Sequence, residues 1–330
     1  MERERSLVSR NPSPFDTDLL QAFENSLESR RTPLSQVPYY VLANGRISST
    51  FEIKLESMSD LVFNRISIFT SLDEAERFKT IHAKYMQLLD KQVGLRLSVI
   101  KQAIIISHSG VPVYYIVQRK LPTYSIGNNA IHLLNRIDTK KLFSQVLNEL
   151  EKVWRYNDEH PNNEVSIDGR LSSWALDEFD PERSLLEQKV ILVYLNTCNP
   201  VYRVAGIEQM DVLRTTPNVL GAYIKRFKFK KFLARSYETR SVIIDLMASF
   251  YQEKRPDLVP ELLFSANQIL KEEGNRSDEF KPIQESEVRR RYRQNSLNKW
   301  MMNKRRRAER IYYQKLLGRE HPYFPLPEAA

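Results

Sequence analysis

Two short apolar-rich runs, Tyr39 to Leu42 and Ile47 to Leu55, flank the pair Asn44-Gly45. Within the second, Ile47, Phe51, Ile53 and Leu55 are the apolar members, as in a strand with one buried face. Asn-Gly between such runs predicts a hairpin, because both residues tolerate a positive φ. A third strand is expected from Asp60 to Phe69. The period then changes. Phe78, Ile81, Tyr85, Leu88 and Leu89 recur at helical spacing through Val93, with Ser71 placed to cap the helix and Gly94 to end it. Asp73, Glu74 and Glu76 lie near its positive end. Strands return at Val99 to Ser107 and Val111 to Gln118, around the turn His108-Ser109-Gly110.

After Leu121-Pro122 the strand pattern stops. Phe143, Val146, Leu147, Leu150, Val153 and Trp154 form one face of a long helix over Leu142 to Tyr156. A helical region is expected from about Val201 to Leu270, then a polar break from Glu272 to Glu287. The pattern divides the chain into a polar leader over 1–36 with one short helix (Leu19, Leu20, Phe23, Leu27), a sheet region over 37–121, a helical region over 122–270, and a basic helix with an extended tail over 271–330.

The 330 residues, 42% apolar, suffice for a sizeable core without covalent staples. The one cysteine, Cys198, excludes an internal disulfide framework and reads as a small buried apolar residue. The five histidines have no metal-ligand spacing, and nothing supports a Ser-His-Asp or Cys-His hydrolase. No apolar run approaches the roughly 18 residues of a membrane span, and Met1-Glu2-Arg3-Glu4-Arg5 lacks a signal-peptide core. A cytoplasmic protein is the expectation.

The most chemically suggestive stretch is Val165-Ser166-Ile167-Asp168-Gly169-Arg170-Leu171-Ser172-Ser173-Trp174-Ala175-Leu176, followed by the apolar run Val190 to Leu195 and then Asn196. It resembles the catalytic centre of the protein-kinase-like superfamily, in which a loop Asp, an Asn five residues on, and a second Asp after a hydrophobic strand place a base and two Mg²⁺ ions. Asp168 matches the loop Asp. Ser173 stands at the Asn position and Asn196 at the second Asp. The interval from Asp168 to Asn196, 28 residues, exceeds the family's, and the acidic segment Asp177 to Lys189 reads as a hairpin insertion between paired strands. With Asn-Pro-Val-Tyr-Arg at 199–203, the combination is similar to an uncharacterised bacterial kinase-like group with degenerate catalytic motifs.

The resemblance implies an α+β, protein-kinase-like two-lobed fold: a small antiparallel-sheet lobe with one helix, a larger mainly helical lobe, and here a C-terminal basic helix. It implies a nucleotide-type cleft in which Gly45 approaches phosphate, Asn64 takes the place of the third-strand Lys with Arg65 the adjacent cation, and Glu74 or Glu76 takes that of the helix Glu. Asp168 would be the base or orienting group, and Ser173 and Asn196 the metal ligands. ATP and Mg²⁺ are the implied cofactors. With two of the three positions altered, the implied function is a pseudokinase or an atypical phosphotransferase.

Much of the net charge of +9 lies near the end. Arg289, Arg290, Arg291, Arg293, Lys299, Lys304, Arg305, Arg306, Arg307 and Arg310 are interrupted by one acid, Glu309, and interleaved with Tyr292 and Trp300. One expectation is a surface helix whose Leu297, Trp300, Met301, Ala308, Ile311 and Leu316 pack on the large lobe. The alternative is a non-enzymatic scaffold whose basic helix, through Arg289, Arg290, Arg291, Arg305, Arg306 and Arg307, contacts nucleic acid or an acidic protein partner.

Overall fold

A computed structural model describes residues 17–28, 37–45, 47–210, 233–274 and 281–316. The fold is α+β. The described residues form two compact units, one drawn from those within 17–75 and 100–120, the other from those within 76–99 and 121–316.

The first unit is a five-stranded sheet in the order β1-β2-β3-β5-β4. Its strands are β1 Tyr39–Asn44, β2 Ser48–Ile53, β3 Leu61–Ile66, β4 Val99–Ile106 and β5 Pro112–Arg119. The β1–β2 hairpin is as expected, but its turn is not a two-residue Asn-Gly. Asn44 pairs with Ser49, and a bulge between Val41 and Ala43 shifts the register. The loop closes by Gly45 N–H to Ser48 O, 2.8 Å, and neither Asn44 nor Gly45 takes a positive φ. One sheet face carries Phe51, Phe63 and Tyr115 and is covered by α1, Thr17–Glu28, whose Leu20 and Phe23 are fully buried. Phe23 stacks on Phe51 at 5.0 Å and Phe51 on Phe63 at 5.7 Å. Burying each such side chain stabilises by about 1.5–3 kcal/mol, so this short helix is part of the core.

In the second unit, α2 (Leu72–Gln87) passes into a π-helical turn, Leu88–Val93, and stops at Gly94, whose φ of 79° brings Leu95 N–H to Leu89 O at 2.8 Å. Helix α3 is one turn, Gly127–Ala130, and α4 runs from Arg136 to Glu159 with Asn135 accepting from Asp138 N–H, 2.9 Å. Strands β6 (Trp174–Asp177) and β7 (Ile191–Tyr194) pair antiparallel, Trp174 opposite Tyr194. The segment after Val201 departs from the helical expectation: β8 (Arg203–Val204) and β9 (Ile207–Glu208) form a hairpin around Ala205 and Gly206, both at positive φ. Helix α5, Thr239–Gln252, is buried on nearly every side through Val242, Ile243, Ile244, Leu246, Met247 and Phe250, and α6 is Val259–Gly274. The middle of the expected helical region, 211–232, lies outside the described residues.

The basic helix α7 spans Glu285–Leu316. Its start packs on α5 through Val288, fully buried, and through Tyr292 stacked on Tyr251 at 5.7 Å. Beyond Asn295 the expected packing fails. Leu297 is 55% exposed, Trp300 53%, Met301 46% and Ile311 48%, and Ala308 is exposed.

Candidate functional site

Asp168 sits in a loop fixed at both ends. Upstream, Ser166 N–H bonds Val201 O at 3.0 Å and Tyr85 OH bonds Ser166 O at 2.8 Å. Downstream a single 3-10 turn, Leu171–Ser173, leads straight into β6. Between them Gly169 lies against α5, where a Cβ would meet Val242 Cγ1 at 2.7 Å, so the helix behind the loop admits only glycine without a shift. The loop turns back on itself as Arg170 N–H donates to Asp168 Oδ1, 3.0 Å, an Asx turn. Asp168 N–H in turn donates to Tyr194 OH at 3.0 Å.

The β6–β7 hairpin brings the other two predicted residues to this loop. Ser173 precedes β6 and Asn196 follows β7, and Leu195 N–H bonds Ser173 O at 2.8 Å across the open end. Asn196 Nδ2 donates to Asp168 Oδ2 at 2.9 Å. The long insertion does not disturb this, because Gln188 closes it by donating to Asp180 O and Arg183 O, both 2.8 Å.

The Asp168 carboxylate is fully engaged. Arg170 Nε lies 2.9 and 3.0 Å from its two oxygens, and the terminal guanidinium nitrogen Nη2 also donates to Oδ2. Burial pushes the Asp168 pKa up, but the Arg170 charge and hydrogen bonds, with the Asn196 amide, hold it below the usual 3.8. The Arg170 pKa is raised in return, chiefly by Asp168. A second acid, Asp245 on α5, feels both groups. Its pKa is raised, first by burial and in part by Asp168, against the Arg291 guanidinium at 2.7 Å and the Asn295 amide at 3.0 Å.

As a cation site the trio fits poorly. Ser173 is buried and neutral, Asn196 is neutral, and the one carboxylate is already balanced by Arg170. Mg²⁺ prefers charged oxygen donors in octahedral geometry, and among the described residues no three His, Cys, Asp or Glu side chains converge as ligands.

Of the remaining predicted residues, Gly45, Asn64, Arg65 and Glu74 belong to the first unit, and Glu76 belongs to the second, where it pairs with Lys79 at 3.3 Å. Unbroken β2–β3–β5 register puts Asn64 and Arg65 on opposite faces. Asn64 accepts from Thr50 Oγ1 at 2.7 Å and donates to Gln118 Oε1 at 2.8 Å, a cross-strand amide row. Arg65 reaches α1 and pairs with Glu24. Glu74 caps its own helix, accepting from Thr70 N–H at 2.9 Å. Gly45 is exposed in its turn.

Arg170, Tyr194 and Asp245 escaped the sequence reading. Arg170 was signalled by its place two residues after Asp168, and Asp245 as the one acid within the apolar run of α5.

The chain belongs to the family of unknown function DUF6206, whose model matches residues 18–310. No curated protein matches it. Among solved structures it is similar to one described as WaaP in complex with acyl carrier protein, at 10% identity over 70% of this chain and 89% of that one, with a TM-score of 0.31. A likeness of that size carries no argument about fold or function.

Proposed function

We propose that this is a kinase-like protein in which the Asp168 centre no longer performs metal-assisted phosphoryl transfer, that is, a pseudokinase. The observation that carries this reading is the closure of both Asp168 oxygens by Arg170 and Asn196. A general base needs an accessible lone pair and a pKa near the working pH. Both Asp168 oxygens already accept from Arg170 or Asn196, its proton affinity is lowered, and its charge is balanced by Arg170. The carboxylate instead joins the loop to the end of the β6–β7 hairpin. On this reading any ATP site works without a strongly held Mg²⁺. Calorimetric titration with ATP, with and without Mg²⁺ or Mn²⁺, tests it on the wild type and on Asp168→Ala and Asn196→Ala. Weak or metal-independent binding without phosphoryl transfer is expected; metal-dependent binding lost in both variants would sink the reading.

A second reading is favoured by the exposed outer part of α7. Leu297, Trp300, Met301 and Ile311 are open to solvent beside Lys299, Lys304 and Arg307, and Lys304 Nζ lies 4.2 Å from the Trp300 ring centre. A cationic helix with accessible aromatic surface suits an acidic partner such as nucleic acid. Binding that weakens with salt and with Lys299, Lys304 and Arg307 changed to Ala supports it; salt-independent binding counts against it.

A further inference from the structure

The base of α7 and the start of α5 enclose a pocket of about 400 Å³ lined by Arg235, Arg240, Arg290 and Arg291, with Glu238 and Glu287 the only acids among its lining residues. The pairing within it is incomplete. Arg240 is held by Glu287 at 2.6 Å and Arg291 by Asp245 at 2.7 Å. Glu238 accepts the Ser241 hydroxyl at 2.6 Å. Arg235 and Arg290 make no ion pair with any described residue, although both face the same concavity.

Arg235 and Arg290 are exposed, so water screens their mutual repulsion, and an anion that bridges guanidinium groups on one concave surface relieves what remains of it. Arg235 and Arg290 together outweigh the Glu238 carboxylate, which leaves a net positive charge on these two guanidinium groups for an oxyanion. Their planar forks suit the tetrahedral oxygens of a phosphate group, which bidentate Arg contacts recognise well.

We propose that this pocket binds the phosphate group of a monoester or of pyrophosphate, with Arg235 and Arg290 as its primary contacts and Arg240 and Arg291 held in place beside them by Glu287 and Asp245. The inference is independent of the reading of Asp168, which lies outside the lining.

Isothermal titration of the full chain with inorganic pyrophosphate and with glucose 6-phosphate, and flotation with phosphatidic-acid vesicles against phosphatidylcholine vesicles, test it. Saturable binding that weakens with salt is expected, at least about tenfold weaker in Arg235→Ala/Arg290→Ala, a loss of about 1.4 kcal/mol. That variant should keep the wild-type melting temperature, because neither side chain has an ionic partner among the described residues. Asp168→Asn should bind as the wild type does. Binding of the soluble phosphates assigns a free ligand, and binding of phosphatidic-acid vesicles alone, lost in the double variant, assigns a lipid headgroup. No binding of any probe by the folded wild type, or undiminished binding in the double variant, overturns the proposal.

Discussion

Arg65 and Glu24 form a nearly buried ion pair between β3 and α1, with Arg65 Nε 2.9 Å from Glu24 Oε2 and the side chains 12% and 1% exposed. Ser67 Oγ accepts from the same guanidinium at 2.9 Å, and Tyr115 OH donates to Glu24. Burial works against the Arg65 charge, and the Glu24 hydrogen bond and charge more than restore it. The third-strand cation suggested by the kinase resemblance is therefore engaged in holding a helix to the sheet.

Removing only one partner leaves a buried charge uncompensated. Glu24→Ala should cost about 3–5 kcal/mol, whereas Glu24→Leu/Arg65→Met should recover most of it. Chemical denaturation followed by Trp fluorescence and circular dichroism measures both. If Glu24→Ala unfolds at the wild-type midpoint, the pair does not anchor α1.

Asp168 should leave a pH signature. Its folded pKa lies below the unfolded value of about 3.8, so the folded state binds the proton less well. The resulting stabilisation is fully present above the unfolded value and is lost as pH falls through the folded one. Asp168→Asn should thus cost about 1 kcal/mol at pH 7, a modest figure because Arg170 is half-exposed and solvent screens the pair. The gap between wild type and variant should stay constant from pH 7 to about pH 5 and close below about pH 4. A gap that grows on acidification would contradict the depressed pKa.

Local signals made much of the fold legible, and long-range ones did not. Period-2 runs gave the five strands of the first unit, and Gly94 ended its helix because an αL stop is set by one residue. Asn44-Gly45 misled, since a bulge three residues earlier resets the pairing and lengthens the loop. The Ala205-Gly206 hairpin was missed because only one of its two positive-φ residues is a glycine. Around Asp168, the β6–β7 hairpin brings the loop and Asn196 together and joins Leu195 to Ser173. Tyr194 for Asp168 and Glu24 for Arg65 are tertiary pairings across 26 and 41 residues, which no local pattern marks, whereas Arg170 is a local partner two residues away whose side-chain direction only the folded loop sets.

Gly169 and Val242 should be coupled. Gly169→Ala drives a Cβ to 2.7 Å from Val242 Cγ1 and 3.3 Å from Val242 O. Overpacking of that kind costs about 1–3 kcal/mol. Val242→Ala removes the nearer atom, so the double variant should be more stable than the sum of the two single effects by about 1 kcal/mol. Strict additivity in a double-mutant cycle would show that α5 does not support the loop at this point.

The outer part of α7 should be energetically silent where its base is not. Trp300→Ala, at a side chain 53% exposed, should change stability by less than about 0.5 kcal/mol. Val288→Ala, at a fully buried position facing α5, should cost about 2 kcal/mol. Equal losses would mean that the outer segment packs on the domain after all.

Asn196→Asp tests what the degenerate position has lost. The Asn196 amide donates to Asp168 Oδ2, so a carboxylate there replaces a hydrogen bond with two facing acceptors. Arg170 already balances one charge, and the second has no partner among the contacts of Asn196. At neutral pH the variant should be destabilised by about 2 kcal/mol, and one of the two carboxylates should titrate well above its ordinary range. Two carboxylates and the Ser173 hydroxyl would form a donor set nearer to what a hard divalent cation requires. Millimolar Mg²⁺ or Mn²⁺ should therefore raise the melting temperature of Asn196→Asp while leaving the wild type unchanged. An equal response in both proteins would mean that Asn196 does not govern cation binding at this loop; a response confined to the variant would show that one amide-to-carboxylate change separates this centre from a metal-binding one.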